Sequence, residues 1–355
     1  MKMTQVQKPS SQEKNSYLLI EDFLLWAQRQ EKVVPTQLQT ILKKHNWLKD
    51  TRALKCLFSN QMLNYLGLNE DQIELLSEIL YEFSPVEVKS IADIDKEASL
   101  FFSTNSKKVD GILHGGVETG HLYEFAGPPA SGKTQICYAT LLSCYGQTNG
   151  DSPGNSVLWI DTEHSLLPNK ISGDIKKQKQ NQEHIFNWIR VHTLHEFIQA
   201  LLEMLRICQS KNNLRLIIID SLIAPFNNYY QNDYPARSQA LREILAFLKN
   251  VSRIFSCAII ITNQVRGPIT EAEKQSQQKY FPLGGVAFAH TTENRFLLEP
   301  LEGRRRQIKV LDSSYLPSDA TDFYLTKEGI VDEESCGSAG KPAKVTVFKS
   351  KKALD

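Results

Sequence analysis

The sequence predicts an α/β protein: a mostly parallel sheet with helices on both faces, preceded by a small all-helical domain. Three observations carry that reading. The stretch Gly127-Pro128-Pro129-Ala130-Ser131-Gly132-Lys133-Thr134 fits G-x-x-x-x-G-K-[ST] and lies between a strand-like run and a helix-like run, as that pattern requires. Continuous apolar runs at 156–161, 214–220 and 257–262 alternate with helical stretches. Strands with no polar face belong in a parallel sheet covered on both sides. Residues 17–83 show helical periodicity and no strand signal.

Composition sets the bounds. The 355 residues hold a large core and two domains. Hydrophobic content is 41%, charged content 23% and the formal net charge +1. Nucleic-acid contact must therefore come from local patches and not from an overall basic field. No apolar run approaches a membrane span, so no membrane contact is expected. Met1 to Ser16 is polar, without the apolar segment of a secretory signal, and reads as a flexible tail. The six cysteines lack metal spacing, and most of them sit in apolar segments and read as reduced core residues of an intracellular protein.

In chain order, residues 17–84 form the helical domain. Tyr17 to Trp26 opens it, Pro35 starts a second helix, and Asn69 caps a third in which Ile73, Leu76, Ile79, Leu80 and Phe83 share a face. Its only glycine is Gly67, so the Gly-rich hairpin of a helix-hairpin-helix DNA-binding unit is missing. Residues 85–102 read as a linker and 103–335 as the catalytic domain. Within that domain His121 to Ala126 is the strand entering the motif and Gln135 to Leu142 the helix leaving it. Glu196 to Cys208 and Ala236 to Ile254 are helices. Weaker strands at 295–299, 305–311, 323–325 and 329–331 suggest an antiparallel extension. The Lys- and Ser-rich stretch 336–355 reads as a mobile basic tail.

The motif is a phosphate-binding P-loop. Its glycines let successive N–H groups turn inward as an anion nest, and the following helix adds its positive end. Lys133 reaches the β- and γ-phosphates, and Thr134 offers a hydroxyl to Mg²⁺. Asp220, closing the most apolar strand, is the second Mg²⁺ ligand. Glu163 follows another strand and suits a residue that polarises water; Asp161 is its rival. Gln264, after a third strand, can bond a γ-phosphate and signal to the loop behind it. Two stretches read as mobile loops that mix aromatic and basic residues in the manner of single-stranded DNA contacts. The first, 225–239, holds Phe226, Tyr229, Tyr230, Tyr234 and Arg237; the second, 266–285, holds Arg266, Lys274, Lys279, Tyr280 and Phe281. Arg304-Arg305-Arg306 is a third basic cluster, and its plain reading is a solvated hairpin turn.

Together these segments resemble the RecA-like recombinases of the eukaryotic branch. The resemblance spans Ser103 to Pro317 and rests on several stretches: 115–120, the P-loop, Ile160-Asp161-Thr162-Glu163, Leu214 to Ser221, Ile261-Thr262-Asn263-Gln264, Gly284-Gly285, Ala289-His290 and Val310 to Pro317. It implies a RecA-like P-loop ATPase core using ATP and Mg²⁺. Glu163 would activate water, and Gln264 and His290 would sense nucleotide. Asp312 to Pro317 would cap ATP on a neighbouring protomer. The chain departs from the strand-exchange members in three ways: no Gly-bearing N-terminal hairpin, no clear Phe-x-x-Ala polymerisation motif in the linker, where Val86 to Ala92 offers only weak substitutes, and His164 after Glu163 where those members carry glycine. Those departures point to the recombinase-paralogue branch, and residues 214–226 are similar to its X-ray-repair cross-complementing group and the fungal counterparts. The resemblance implies a nuclear mediator of double-strand-break repair. Its partners would be single-stranded DNA, a related paralogue subunit and the main recombinase filament. A self-assembling strand-exchange recombinase and a nucleotide-binding adaptor without turnover are the alternatives.

Overall fold

A computed structural model describes residues 20–83, apart from 31, 33, 45–47, 49, 58–61 and 63–66. It also describes residues 99–333, apart from 148–153, 167–170, 172, 176–185, 211–212, 277 and 328. The chain divides into two compact units, Met1–Val88 and Lys89–Asp355. The tail expected at 1–16, most of the linker expected at 85–102 and the tail expected at 336–355 lie outside the described residues.

The first unit holds α1 (Ile20–Arg29), α2 (Thr36–Lys44), α3 (Thr51–Leu57) and α4 (Glu70–Phe83). Asn69 caps α4 as its sequence suggests: Asn69 Oδ1 accepts from Gln72 N at 2.9 Å and Gln72 Oε1 accepts from Asn69 N at 3.0 Å. This reciprocal pair satisfies two otherwise orphaned amides of the first turn. The apolar faces bury Phe23, Ala27, Leu54, Leu76 and Leu80. Each large apolar side chain so removed from water contributes about 1.5–3 kcal/mol.

The second unit opens with β1 (Phe101–Phe102), α5 (Lys107–Ile112), β2 (Val117–Glu118) and β3 (Leu122–Ala126), then α6 (Lys133–Gly146) and β4 (Ser156–Asp161). It continues with β5 (Phe186–Arg190), α7 (Leu194–Cys208), β6 (Leu214–Asp220), α8 (Ile223–Tyr230), α9 (Tyr234–Ile254) and β7 (Ala258–Asn263). Then come β8 (Val265–Arg266), α10 (Glu271–Gln275), β9 (Phe281–Pro282) and α11 (Gly285–Thr291). The last strands are β10 (Asn294–Pro300), β11 (Arg305–Ser313), β12 (Ala320–Thr326) and β13 (Gly329–Val331). Nine strands form one sheet in the order β13-β12-β11-β10-β3-β7-β6-β4-β5. From β10 to β5 every pairing is parallel. From β10 to β13 every pairing is antiparallel, so the predicted extension is present. Its core is aromatic: Phe125, Trp159, Phe296 and Phe323 are all fully buried. Among the described residues no helix is long and apolar enough to cross a membrane.

Two local expectations are corrected, and one element is new. Phe101 and Phe102, read as the end of a linker, form a strand that pairs with Glu118 and Val117; so short a ribbon is made by its tertiary partner and has no local signature. The stretch 225–239 is not a loop but the body of α8 and the first turns of α9. Burial of Phe226 fixes the first helix, and Asp233 caps the second by accepting from Ala236 N at 3.2 Å. The edge strand β5 has no counterpart in the sequence reading.

Candidate functional site

The parallel strands deliver their polar ends to one edge of the sheet, where ligands bind in open α/β folds. β3 hands the chain to the P-loop, and α6 begins at Lys133. Gly127 is required by close approach: a Cβ there would lie 2.5 Å from both Leu298 O and Ser131 Oγ. Gly132 caps α6 at φ 106°, a left-handed conformation open to glycine. Ala130 sits at φ 60°. These alternating backbone signs turn amides toward a common centre, which is the geometry of an anion nest. Among the described residues Ser131 Oγ is buried without a hydrogen-bond partner, which suits an acceptor oxygen supplied from outside.

Lys133 Nζ donates to Gly127 O at 2.7 Å and to Pro128 O at 3.0 Å, folding back over its own loop. Burial lowers its pKa, and the carboxylates of Glu163 and Asp220 oppose that shift. Asp220 is buried at the end of β6. Its Oδ2 accepts from Thr134 Oγ1 at 2.8 Å and its Oδ1 from Thr262 Oγ1 at 2.5 Å. Burial raises its pKa, while the hydrogen bonds from Thr262 and Thr134 pull it down. Among the described residues no cluster of three or more His, Cys, Asp or Glu forms a protein-made metal site. Thr134 and Asp220 are instead the partial set that Mg²⁺ uses when phosphates and waters complete its octahedron. The residues present thus fit a Mg²⁺-nucleoside triphosphate.

Glu163 is exposed in the turn after β4. Its Oε1 accepts from Gln264 Nε2 at 2.9 Å and from Ser221 Oγ at 2.8 Å. Asp161 is fully buried and accepts from Ser165 N at 3.2 Å and Leu166 N at 3.4 Å, bracing the turn that presents Glu163. It is thereby removed from rivalry for the water-polarising role. Thr162 fixes the same turn to β6: its Oγ1 accepts from Ser221 N at 2.8 Å and donates to Ser221 O at 2.7 Å. Sequence reasoning passed over Ser221, Thr262 and Thr162 as site residues. Their signal is position alone, each lying within two residues of a strand end that carries a candidate.

The structure brings Lys133, Thr134, Asp220, Glu163 and Gln264 together. It does not join Asp312, Pro317 or His290 to them by any hydrogen bond among the described residues. Asp312 pairs with Arg295, which in turn pairs with Glu124 on β3, so Asp312 lies on the amino-terminal side of Ala126. Pro317 and His290 are exposed, and no hydrogen bond joins His290 to these groups among the described residues.

The two stretches read as DNA contacts differ in kind. Tyr229 and Tyr234 are 68% and 60% exposed, and Arg237 lies over the Tyr234 ring at 4.9 Å. In 266–285 the charge is largely consumed internally. Arg266 pairs with Glu273 at 2.7 Å and Lys274 with Glu271 at 2.7 Å. The hydrogen bond from Arg266 leads the causes that hold the Glu273 carboxyl down at about 2.

The family model described as Rad51 matches residues 95–333. The DNA repair protein Rad51 homolog of Drosophila melanogaster is 29% identical over 234 residues, 65% of this chain and 69% of that protein. The DNA repair protein RAD51 of Mycosarcoma maydis is 28% identical over 235 residues, 65% of this chain and 69% of its own length. The DNA repair protein RAD51 homolog B of Zea mays is 25% identical over 278 residues, 76% of this chain and 82% of that protein. With a family match across well over half of the chain and a sheet of the RecA-like kind beneath it, the chain belongs to the Rad51 family.

Proposed function

We propose that this chain is an ATP-binding mediator of homologous-recombination repair of double-strand breaks. In this reading it acts in the nucleus, as one subunit of a paralogue hetero-oligomer that assists the main recombinase filament on single-stranded DNA. The observation that carries the ATPase chemistry is the convergence of four strand ends on the P-loop, with Thr134 and Asp220 in contact at 2.8 Å and Glu163 facing Gln264. Bound Mg²⁺-ATP supplies the phosphoanhydride bond. The P-loop amides hold phosphate oxygens, Lys133 leaves its two carbonyls to meet negative charge, and Glu163 holds a water's proton. Slow turnover fits a Glu163 already engaged by Ser221 and Gln264. The repair role is supported by the relatives' names, and the mediator role by the missing polymerisation motif.

The test is electron microscopy of the purified chain with ATP and single-stranded DNA. Short or no assemblies are expected until a paralogue partner is added; long regular filaments from this chain alone would establish a strand-exchange recombinase instead. In cells, Lys133→Ala and Lys133→Arg are expected to abolish repair. Intact repair with both would leave a nucleotide-binding adaptor without turnover.

A further inference from the structure

The β10–β11 hairpin turns beside the P-loop, and its basic triplet is not uniformly solvated. Arg305 is bound to Asp322. Arg306 is half-buried and has no carboxylate partner among the described residues. Its guanidinium is held by backbone oxygens: Nη1 donates to Gly303 O at 3.0 Å and Arg305 O at 2.8 Å, and Nε donates to Ala130 O at 2.9 Å. Ala130 is the P-loop residue at φ 60°, a conformation that an L side chain disfavours and glycine does not.

We propose that Arg306 is a positioning residue for nucleotide binding: it locks the Ala130 peptide in its left-handed turn and so keeps the P-loop nest preformed. The reading rests on the nucleotide site proposed above. Two hairpin carbonyls fix the guanidinium, and the third donor then fixes the P-loop carbonyl on the outer side of the nest. The amide of the same peptide, Ser131 N, donates to Pro128 O at 3.3 Å across the same turn. A lysine has the charge but not the fork, so it cannot grip hairpin and loop at once. The uncompensated charge also favours an anion in the adjoining nest.

The first arm of the test is hydrogen exchange at the amides of 130–132 in the nucleotide-free full chain. Arg306→Gln is expected to speed exchange about tenfold, and Arg306→Lys to recover little of it. The second arm is binding of a fluorescent ATP analogue with Mg²⁺. Arg306→Gln is expected to weaken it about tenfold, and adding Ala130→Gly is expected to restore most of that loss, because glycine needs no brace. Unchanged exchange, or a binding loss that Ala130→Gly does not repair, would overturn the proposal. A wild-type chain that binds no ATP would sink the proposed function, and the exchange arm would still decide the role of Arg306. Thermal melting of each variant separates a local change from global unfolding.

Discussion

The side-chain amide of Gln264 donates to the carboxylate of Glu163 across 2.9 Å, joining the ends of β7 and β4. Both residues therefore cannot serve a nucleotide in this arrangement: Gln264 must release Glu163 to reach a γ-phosphate. Glu163→Gln should lower ATP turnover by about 10²–10⁴-fold while leaving ATP affinity within a few-fold. Gln264→Ala frees Glu163 of one of its two hydrogen bonds, so it should raise basal turnover a little and lose the stimulation by DNA. Single-turnover hydrolysis with and without single-stranded DNA measures both, and stimulation that survives in Gln264→Ala would remove the amide from the signalling role.

Asp220 makes the site sensitive to acid. Burial raises its pKa, so its carboxylate takes up a proton at higher pH than an ordinary aspartate. That proton competes with Mg²⁺ for the same oxygens. Mg²⁺-dependent ATP affinity should therefore fall as pH drops through this raised value, before exposed carboxylates titrate. Thr262→Val removes a hydrogen bond that lowers the pKa, so the loss should begin at higher pH still. The stability sign is opposite. A folded pKa above the unfolded one contributes stability at low pH that is lost as pH rises through the folded value. Thr262→Val should thus destabilise the nucleotide-free chain more at pH 7 than at pH 4, by about 1.5–3 kcal/mol at neutrality. Denaturant melts at the two pH values check it.

Behind the site, β3 and β10 share a buried ion pair. Arg295 Nε donates to Glu124 Oε2 at 2.5 Å, and Asn263 Nδ2 donates to Glu124 Oε1 at 2.6 Å and to Leu283 O at 2.8 Å. Removing one partner strands a charge in the core. Arg295→Met should cost about 3–5 kcal/mol, and the double change with Glu124→Leu distinctly less. A double-mutant cycle by chemical denaturation measures the coupling.

Much of this arrangement is legible in the chain, for a physical reason. Asp220, Glu163 and Gln264 each follow an apolar run that only a buried parallel strand explains, so their place at its carboxyl end is readable. Arg306 is not readable in this way, because the β10–β11 turn alone brings it to Ala130. Strand β5 is hidden because Phe186, Asn187, Trp188, Ile189 and Arg190 form no apolar run, and none of them is fully buried. The stretch 225–239 looks like a loop from its Asn, Tyr and Pro content, yet tertiary burial of Phe226 and the Asp233 cap impose helix.

The segment from Asp312 to Pro317 tests whether the chain works across a subunit boundary. The turn is prefolded: Ser313 Oγ donates to Asn294 Oδ1 at 2.8 Å and accepts from Leu316 N at 3.0 Å, with Leu316 buried beneath it. Asp312 and Pro317 are left exposed. Because Arg295 on β10 pairs with Asp312 on one side and with Glu124 on the other, Asp312 lies level with the middle of β3, two residues before the strand end that feeds its own P-loop. No hydrogen bond among the described residues joins either residue to the P-loop, and their exposure suits a role against a neighbour's nucleotide. Asp312→Ala and Pro317→Ala should leave ATP affinity of the isolated chain within about twofold, as for surface changes outside a site. In the reconstituted paralogue complex the same substitutions should lower ATP turnover by about tenfold, the loss expected when one positioned charge or ring is withdrawn from a bound nucleotide. Equal losses with and without the partner would show that the turn acts within its own subunit.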